Sequence, residues 1–331
     1  MNIIKKKFYS SKKKLIINKN QISRIPLKKI SHKTSVKNKY IRKKIKKKKM
    51  SSKLKKTMNI IKNLISKADS IILGAGSGLS TAAGLEYSGK RWEKTFPEFI
   101  KKYKMTDMYT SSFYKFQNEE EKWGYWGRHL YVNNVGCEAF DLYKDLYNFI
   151  KDKDYFVITT NVDDQFYKSG FDKNRIFRTQ GSYKYLQCAK GCNNKTYESS
   201  DLIKKLNDNI DKDCKVPSNL VPYCEKCKGS MDPNIRMNDY FVEDNIFQKG
   251  RDNYINFLKK CHGKKVILIE MGIGMNTPGI IRFPFEKMTL ENKDWYLIRL
   301  NRSVMDCMFD MGDKIFLIKG DIKTSLNEII H

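Results

Sequence analysis

Gly74-Ala75-Gly76-Ser77-Gly78-Leu79-Ser80-Thr81-Ala82-Ala83-Gly84-Leu85-Glu86-Tyr87-Ser88-Gly89 follows the apolar run Ile71-Ile72-Leu73, and the reading of this junction decides the fold. The run has the length and content of a buried parallel strand. A glycine-rich turn that leaves such a strand and opens a helix brings backbone N–H groups close to a pyrophosphate, with the helix N-terminus favouring its charge. Two common versions of that turn are excluded. The G-x-G-x-x-G fingerprint fails because Leu79 occupies its third glycine position, and Gly84 to Arg91 nearly spells a phosphate loop but ends on Arg91 where a Ser or Thr must hold Mg²⁺.

Apolar periodicity extends the pattern in both directions. Leu54, Met58, Ile61 and Ile65 mark one helix face before the strand, and Trp92, Phe96, Phe99 and Tyr103 mark another after the turn. A helix is expected again at Phe140, Tyr143, Leu146, Tyr147 and Ile150, and at 245–260 and 324–330. Further strands are expected at 155–159, 175–178, 266–269, 295–300 and 315–318. Strands alternating with helices predict an α/β fold with a doubly wound parallel sheet. The aromatic stripes are expected in the core.

The formal net charge of +29 belongs to one end of the chain. Residues 1–68 hold 25 Lys or Arg and no acid, which leaves 40 basic residues against all 36 acids in the remainder. Residues 1–50 are expected to be a disordered basic leader. Three readings of it compete: an organellar presequence, a nuclear or nucleic-acid-binding patch at Lys43 to Lys49, and a solvated, compositionally biased extension, with Met1 and Met50 both open as the start. No apolar run approaches the roughly 20 residues of a membrane-spanning helix.

Four of the eight cysteines are closely paired, Cys188 with Cys192 and Cys224 with Cys227. Two short-range pairs and four thiolates suit tetrahedral, structural zinc in a reducing compartment. Tyr223-Cys224-Glu225-Lys226-Cys227-Lys228-Gly229 has the turn-and-glycine pattern of a zinc ribbon. The module is expected over 183–235, inserted between 51–182 and 236–331 of the nucleotide-binding domain. The remaining cysteines are read as small hydrophobes.

The glycine turn, the zinc ribbon and Thr159-Thr160-Asn161-Val162-Asp163, placed where the second strand ends, together resemble the sirtuins, NAD-consuming enzymes with a Rossmann-like domain. Sirtuin deacylases carry a His-Gly pair before the zinc module whose histidine serves as the base for a ribose hydroxyl. This chain has Gln180-Gly181 in Arg178-Thr179-Gln180-Gly181-Ser182-Tyr183. Glutamine orients a hydroxyl but takes no proton near pH 7, and losing a general base costs about 10²–10⁴ in rate. The loop Leu79 to Gly89, the Thr-Thr-Asn-Val-Asp motif and the Thr-Gln-Gly motif resemble the class M sirtuins, as do Glu270 to Pro278 and Arg282 to Glu286. That group is known in microbes for protein ADP-ribosyltransferases, several of them paired with a macrodomain hydrolase and a lipoylated carrier.

The resemblance implies NAD as a consumed substrate and ADP-ribose transfer to an acceptor protein, a lipoylated carrier being the first to try. It implies that Asn161, Asp163 and Gln180 hold the nicotinamide ribose and carboxamide, and that Gly74, Ala75, Gly76, Ser77, Gly78, Leu79, Gly84, Tyr87, Thr160, Gly272, Gly274 and Asn276 line the rest of the dinucleotide. Asn301, Asp321 and Ile322 are expected at the adenosine. His129 and His262 are read as ordinary surface or helix residues. A deacylase, an NAD-responsive binding module and nucleic-acid binding through the leader stand as the alternatives.

Overall fold

The computed structural model describes residues 52–303 and 306–331. The expectations for residues 1–50 lie outside the described residues. The strands are β1 (Ser70–Ala75), β2 (Tyr155–Thr159), β3 (Ile176–Arg178), β4 (Gly181–Cys188), β5 (Thr196–Glu198), β6 (Met231–Ile235), β7 (Val266–Met271), β8 (Trp295–Asn301) and β9 (Ile315–Lys319). Six of them form one sheet in the order β3-β2-β1-β7-β8-β9, with every neighbouring pair parallel. The chain therefore builds outward from β1 to β3 on one side and from β7 to β9 on the other. This places the switch in winding direction between β1 and β7.

The strand sequences read as unbroken apolar runs because both faces are covered. Along β1, Ile71, Leu73 and Ala75 enter one core with the helices Ser52–Lys67, Asp141–Ile150 and Ile322–Ile330. Ile72 enters the opposite core with the helices Asn245–Lys260 and Arg282–Glu291. The second of these helices lacks an apolar stripe, since its buried face includes the charged residues Arg282 and Glu286.

A smaller antiparallel sheet, β5-β4-β6, carries the cysteine pairs. The helix Ser200–Asp208 packs on the helix Glu119–Leu130 in the same core, burying Ile203 and Leu206. The aromatic stripe Trp92, Phe96 and Phe99 is buried as expected, but in the core of this second sheet. There it meets Trp123, Tyr125 and Trp126 of helix Glu119–Leu130 together with Cys188, Cys214 and Cys224. Only two residues, Thr179 and Gln180, separate β3 of the large sheet from β4 of the small one.

Candidate active site

A cavity of about 270 Å³ opens at the carboxyl ends of β1, β2, β3 and β7, and the loops leaving those strands line it. They contribute Gly76 and Ser77; Thr160, Asn161 and Val162; Gln180; and Gly274, Asn276 and Thr277, and β4 adds Tyr183. Tyr87 and Phe113 close it from the aromatic layer. Ligands of open α/β sheets sit at such a switch point. A larger hollow of about 600 Å³, beside Tyr167 and Lys249, lies away from the glycine turn.

The glycine turn packs two strand ends together. Gly272, at φ +66°, has no room for a side chain, since a Cβ there would sit 2.5 Å from the Leu79 nitrogen. The Gly76 and Gly78 N–H groups donate to the carbonyls of Met271 and Gly272 at 3.0 and 3.1 Å. Two donors expected at a pyrophosphate are thus bonded to the neighbouring loop. Gly74 admits Ile281 and Phe285 to the strand, and Ala75 and Leu79 are core residues. Gly84, at φ +112°, ends the helix Ser77–Ala83.

Behind the turn, hydrogen bonds orient Asn161. Its Nδ2 donates to the Gly76 carbonyl at 3.1 Å and to Ser80 Oγ at 3.0 Å. These bonds leave Oδ1 as the polar atom of its side chain available to the cavity. Ser80 in turn donates to Asp163 Oδ2 at 2.5 Å, while the Gln165 N–H donates to Asp163 Oδ1. Asp163 is 3% exposed and does not line the cavity. Burial pushes its carboxyl up to about 6. It therefore reaches Asn161 through Ser80, a positioning residue that residue type alone did not single out.

Gln180 lines the cavity, and among the described residues its side-chain amide has no partner within the chain. The backbone around it is fixed: the Gln180 carbonyl accepts from the Arg236 N–H at 3.1 Å. Gly181 adopts φ +87°, and a Cβ there would meet the Asn234 carbonyl oxygen at 2.0 Å. Upstream, the side chain of Arg178 pairs with Asp164 at 2.7 Å.

His129 is not a surface residue. It is fully buried in helix Glu119–Leu130, with Nδ1 3.1 Å from the Tyr125 hydroxyl and Nε2 3.0 Å from that of Tyr183. The Tyr183 hydroxyl lies 2.9 Å from that of Tyr87, and both rings line the cavity. Burial, aided by Arg91, lowers the imidazole to about 3. The sequence offered no signal for this, because the contact joins residues 54 positions apart.

The remaining expected residues divide. Gly274 and Asn276 line the cavity. Asn301 donates to the Ile273 carbonyl at 2.8 Å and so braces the loop after β7. Asp321 caps the helix Ile322–Ile330 through the Thr324 N–H, and Ile322 is core. All three lie at or beyond the carboxyl ends of β8 and β9, outside this cavity.

The four cysteines converge. Their sulfurs all lie within 4.8 Å of one another, with Cys188–Cys227 at 3.6 Å and Cys192–Cys224 at 3.5 Å. Thiolates about 2.3 Å from a tetrahedral zinc stand about 3.8 Å apart, so the set fits this ion. Four thiolates would fill its coordination sphere, which suits a structural role.

Comparison with solved structures defines the fold. The chain superposes on a Sir2Tm structure bound to a propionylated peptide with a TM-score of 0.53 at 19% identity, covering 82% of this chain and 97% of the other. A Sir2 structure with a p53 peptide and NAD⁺ gives 0.50 at 18% identity, with 82% and 97% covered. The fold is the sirtuin fold.

No protein-family profile matches the chain. Among curated proteins it is 31% identical over 277 residues to a protein ADP-ribosyltransferase of Staphylococcus aureus (strain Mu50 / ATCC 700699), covering 83% of this chain and 88% of that one. It is 29% identical over 245 residues to a probable bifunctional ADP-ribose hydrolase/ADP-ribosyltransferase of Fusarium oxysporum f. sp. cubense, covering 71% of this chain and 40% of that protein. The chain belongs to the sirtuin-type family of the staphylococcal protein ADP-ribosyltransferase.

Proposed function

We propose that the protein is an NAD-dependent protein ADP-ribosyltransferase whose reaction runs in the cavity at the β1/β7 switch. The nicotinamide–ribose bond breaks with its electron pair leaving on nicotinamide. A nucleophile of the acceptor protein then forms the new bond to the ribose anomeric carbon and loses its proton to solvent. The observation that carries this reading is Gln180, presented on the fixed Gly181 turn with its amide unpartnered among the described residues. Its amide orients a ribose hydroxyl or carboxamide and takes no proton, which suits transfer to an external nucleophile better than base-assisted attack by the ribose hydroxyl. Asn161 holds the nicotinamide end from the other side, and Asp163 acts through Ser80.

The class M resemblance supports a lipoylated carrier as acceptor and a macrodomain hydrolase as the partner that reverses the modification. An organellar address fits the acid-free leader of residues 1–50. The test is mass spectrometry of the purified protein with NAD, a lipoylated carrier and an acetyl-lysine peptide. The expected result is a carrier heavier by one ADP-ribose, released nicotinamide and an unchanged peptide. Deacetylated peptide with acetyl-ADP-ribose would overturn the reading. Gln180→Ala is expected to lower transfer about 100-fold, the scale of one lost transition-state hydrogen bond; unchanged turnover would remove Gln180 from the site.

A further inference from the structure

We propose that Tyr87 presents an acceptor-only oxygen to the cavity, because a one-way hydrogen-bond chain ending on a backbone carbonyl uses its proton, and that it thereby selects a hydrogen-bond donor of the bound dinucleotide. The specific ligand rests on the proposed function; the proton order of the chain does not.

The order follows from one fixed point. The Tyr125 hydroxyl is 2.8 Å from the Met108 carbonyl oxygen. A carbonyl only accepts, so Tyr125 donates its single proton there. The contact between Tyr125 and His129 Nδ1 must then carry a proton on nitrogen, which makes His129 the donor. A neutral imidazole has one N–H, so Nε2 is bare and the Tyr183 hydroxyl donates to it. Tyr183 has no second proton, and Tyr87 therefore donates to Tyr183. The lone pairs left on the Tyr87 oxygen are what it can offer a ligand.

Two features keep the chain in this sense. The ring of His129 is enclosed by Tyr87, Phe96, Tyr125, Trp126 and Tyr183, a buried aromatic shell without an acid to pair a second proton. Arg91, anchored on the Val132 carbonyl and Asn133 Oδ1, adds a positive charge nearby. The far end is also tied back, because the Met108 N–H donates to the Tyr87 carbonyl at 2.9 Å. With the imidazole this hard to protonate, the chain orients a donor and does not abstract its proton. Tyr87 thus suits a ribose hydroxyl or the carboxamide N–H₂ and disfavours a phosphate oxygen. His129 is a positioning residue, acting through Tyr183.

The test has two independent readouts on the whole protein. In ¹⁵N-histidine NMR, His129 is expected to be neutral with its proton on Nδ1 from pH 5 to 8; a proton on Nε2, or an imidazolium, overturns the chain order whether or not NAD is a substrate. In titrations with NAD, Tyr87→Phe is expected to lower affinity, and kcat/KM for nicotinamide release, about tenfold with little change in melting temperature. His129→Phe is expected to match that loss, His129→Gln to recover part of it, and the double variant Tyr87→Phe/His129→Phe to cost no more than His129→Phe alone. Wild-type affinity and turnover in Tyr87→Phe would overturn the role of Tyr87. A wild-type protein that neither binds NAD nor releases nicotinamide would sink the proposed function and the ligand assignment with it, while the tautomer still decides the chain order.

Discussion

The two walls of the cavity are held by different physics. On the sheet side, the loop after β7 is pinned by groups the chain itself supplies. Glu270, Arg282, Glu286 and Arg299 are completely buried and form a chain of ion pairs: Arg282–Glu270 at 2.8 Å, Arg299–Glu270 at 2.9 Å and Arg299–Glu286 at 2.5 Å. Arg282 also donates to the Ile273 carbonyl, and Glu286 accepts from the Met308 N–H. On the small-sheet side, Cys188 and Cys224 enter the same core as the aromatic residues around Trp123. Their sulfurs sit at metal-binding separations, where an ion from solution would hold that order. One wall is thus held by ion pairs within the chain, whereas the other is expected to follow metal supply.

The largest expected effect is therefore zinc removal. Binding to a four-thiolate site contributes about 10–16 kcal/mol to folding in small zinc modules. Chelation, or Cys224→Ser, is expected to unfold the β4–β6 module and release the aromatic core while the parallel sheet persists. Trp92, Trp123 and Trp126 report that core and Trp295 the sheet, so tryptophan fluorescence with limited proteolysis resolves the two. If the purified protein carries no zinc and Cys224→Ser melts with the wild type, the contrast between the walls collapses.

Next comes the ion chain. Arg299→Met leaves two buried carboxylates without their shared cation, and breaking such a pair costs about 3–5 kcal/mol. Denaturant unfolding with zinc saturating is expected to show that loss in the sheet, with Trp295 moving before the other tryptophans. A loss below about 1 kcal/mol would mean that the loop is held by packing instead.

The smallest effect belongs to Asp163. Its carboxyl is raised from 3.8 to about 6 by burial. Below about pH 4 it is protonated whether the chain is folded or not, and the fold carries no penalty. As pH rises to about 6 the unfolded chain ionises first, so stability falls, and the penalty is fully present above that. Two units correspond to about 3 kcal/mol at most. Asp163→Asn is expected to flatten the stability profile between pH 4 and 6; a slope equal to that of the wild type would assign it to another group.

Much of this arrangement was legible in the chain. Unbroken apolar runs marked the strands, because both faces of the parallel sheet are covered, and apolar residues at steps of three and four marked most helices. The cysteine spacing pointed to the metal cluster because short-range ligand pairs are a local property. The helix Arg282–Glu291 was not legible, since its buried face carries charges whose partners come from β7 and β8.

The doubly wound sheet, the cysteine set and the residues at the strand ends rest on local pattern and follow from the chain alone. Only the tertiary structure decided that Asp163 sits behind Ser80, that the Gly76 and Gly78 N–H groups serve the neighbouring loop, and that His129 reaches the cavity through Tyr183. Each of these depends on which buried polar group finds which partner, and a partner 54 or 83 residues away leaves no trace in local spacing.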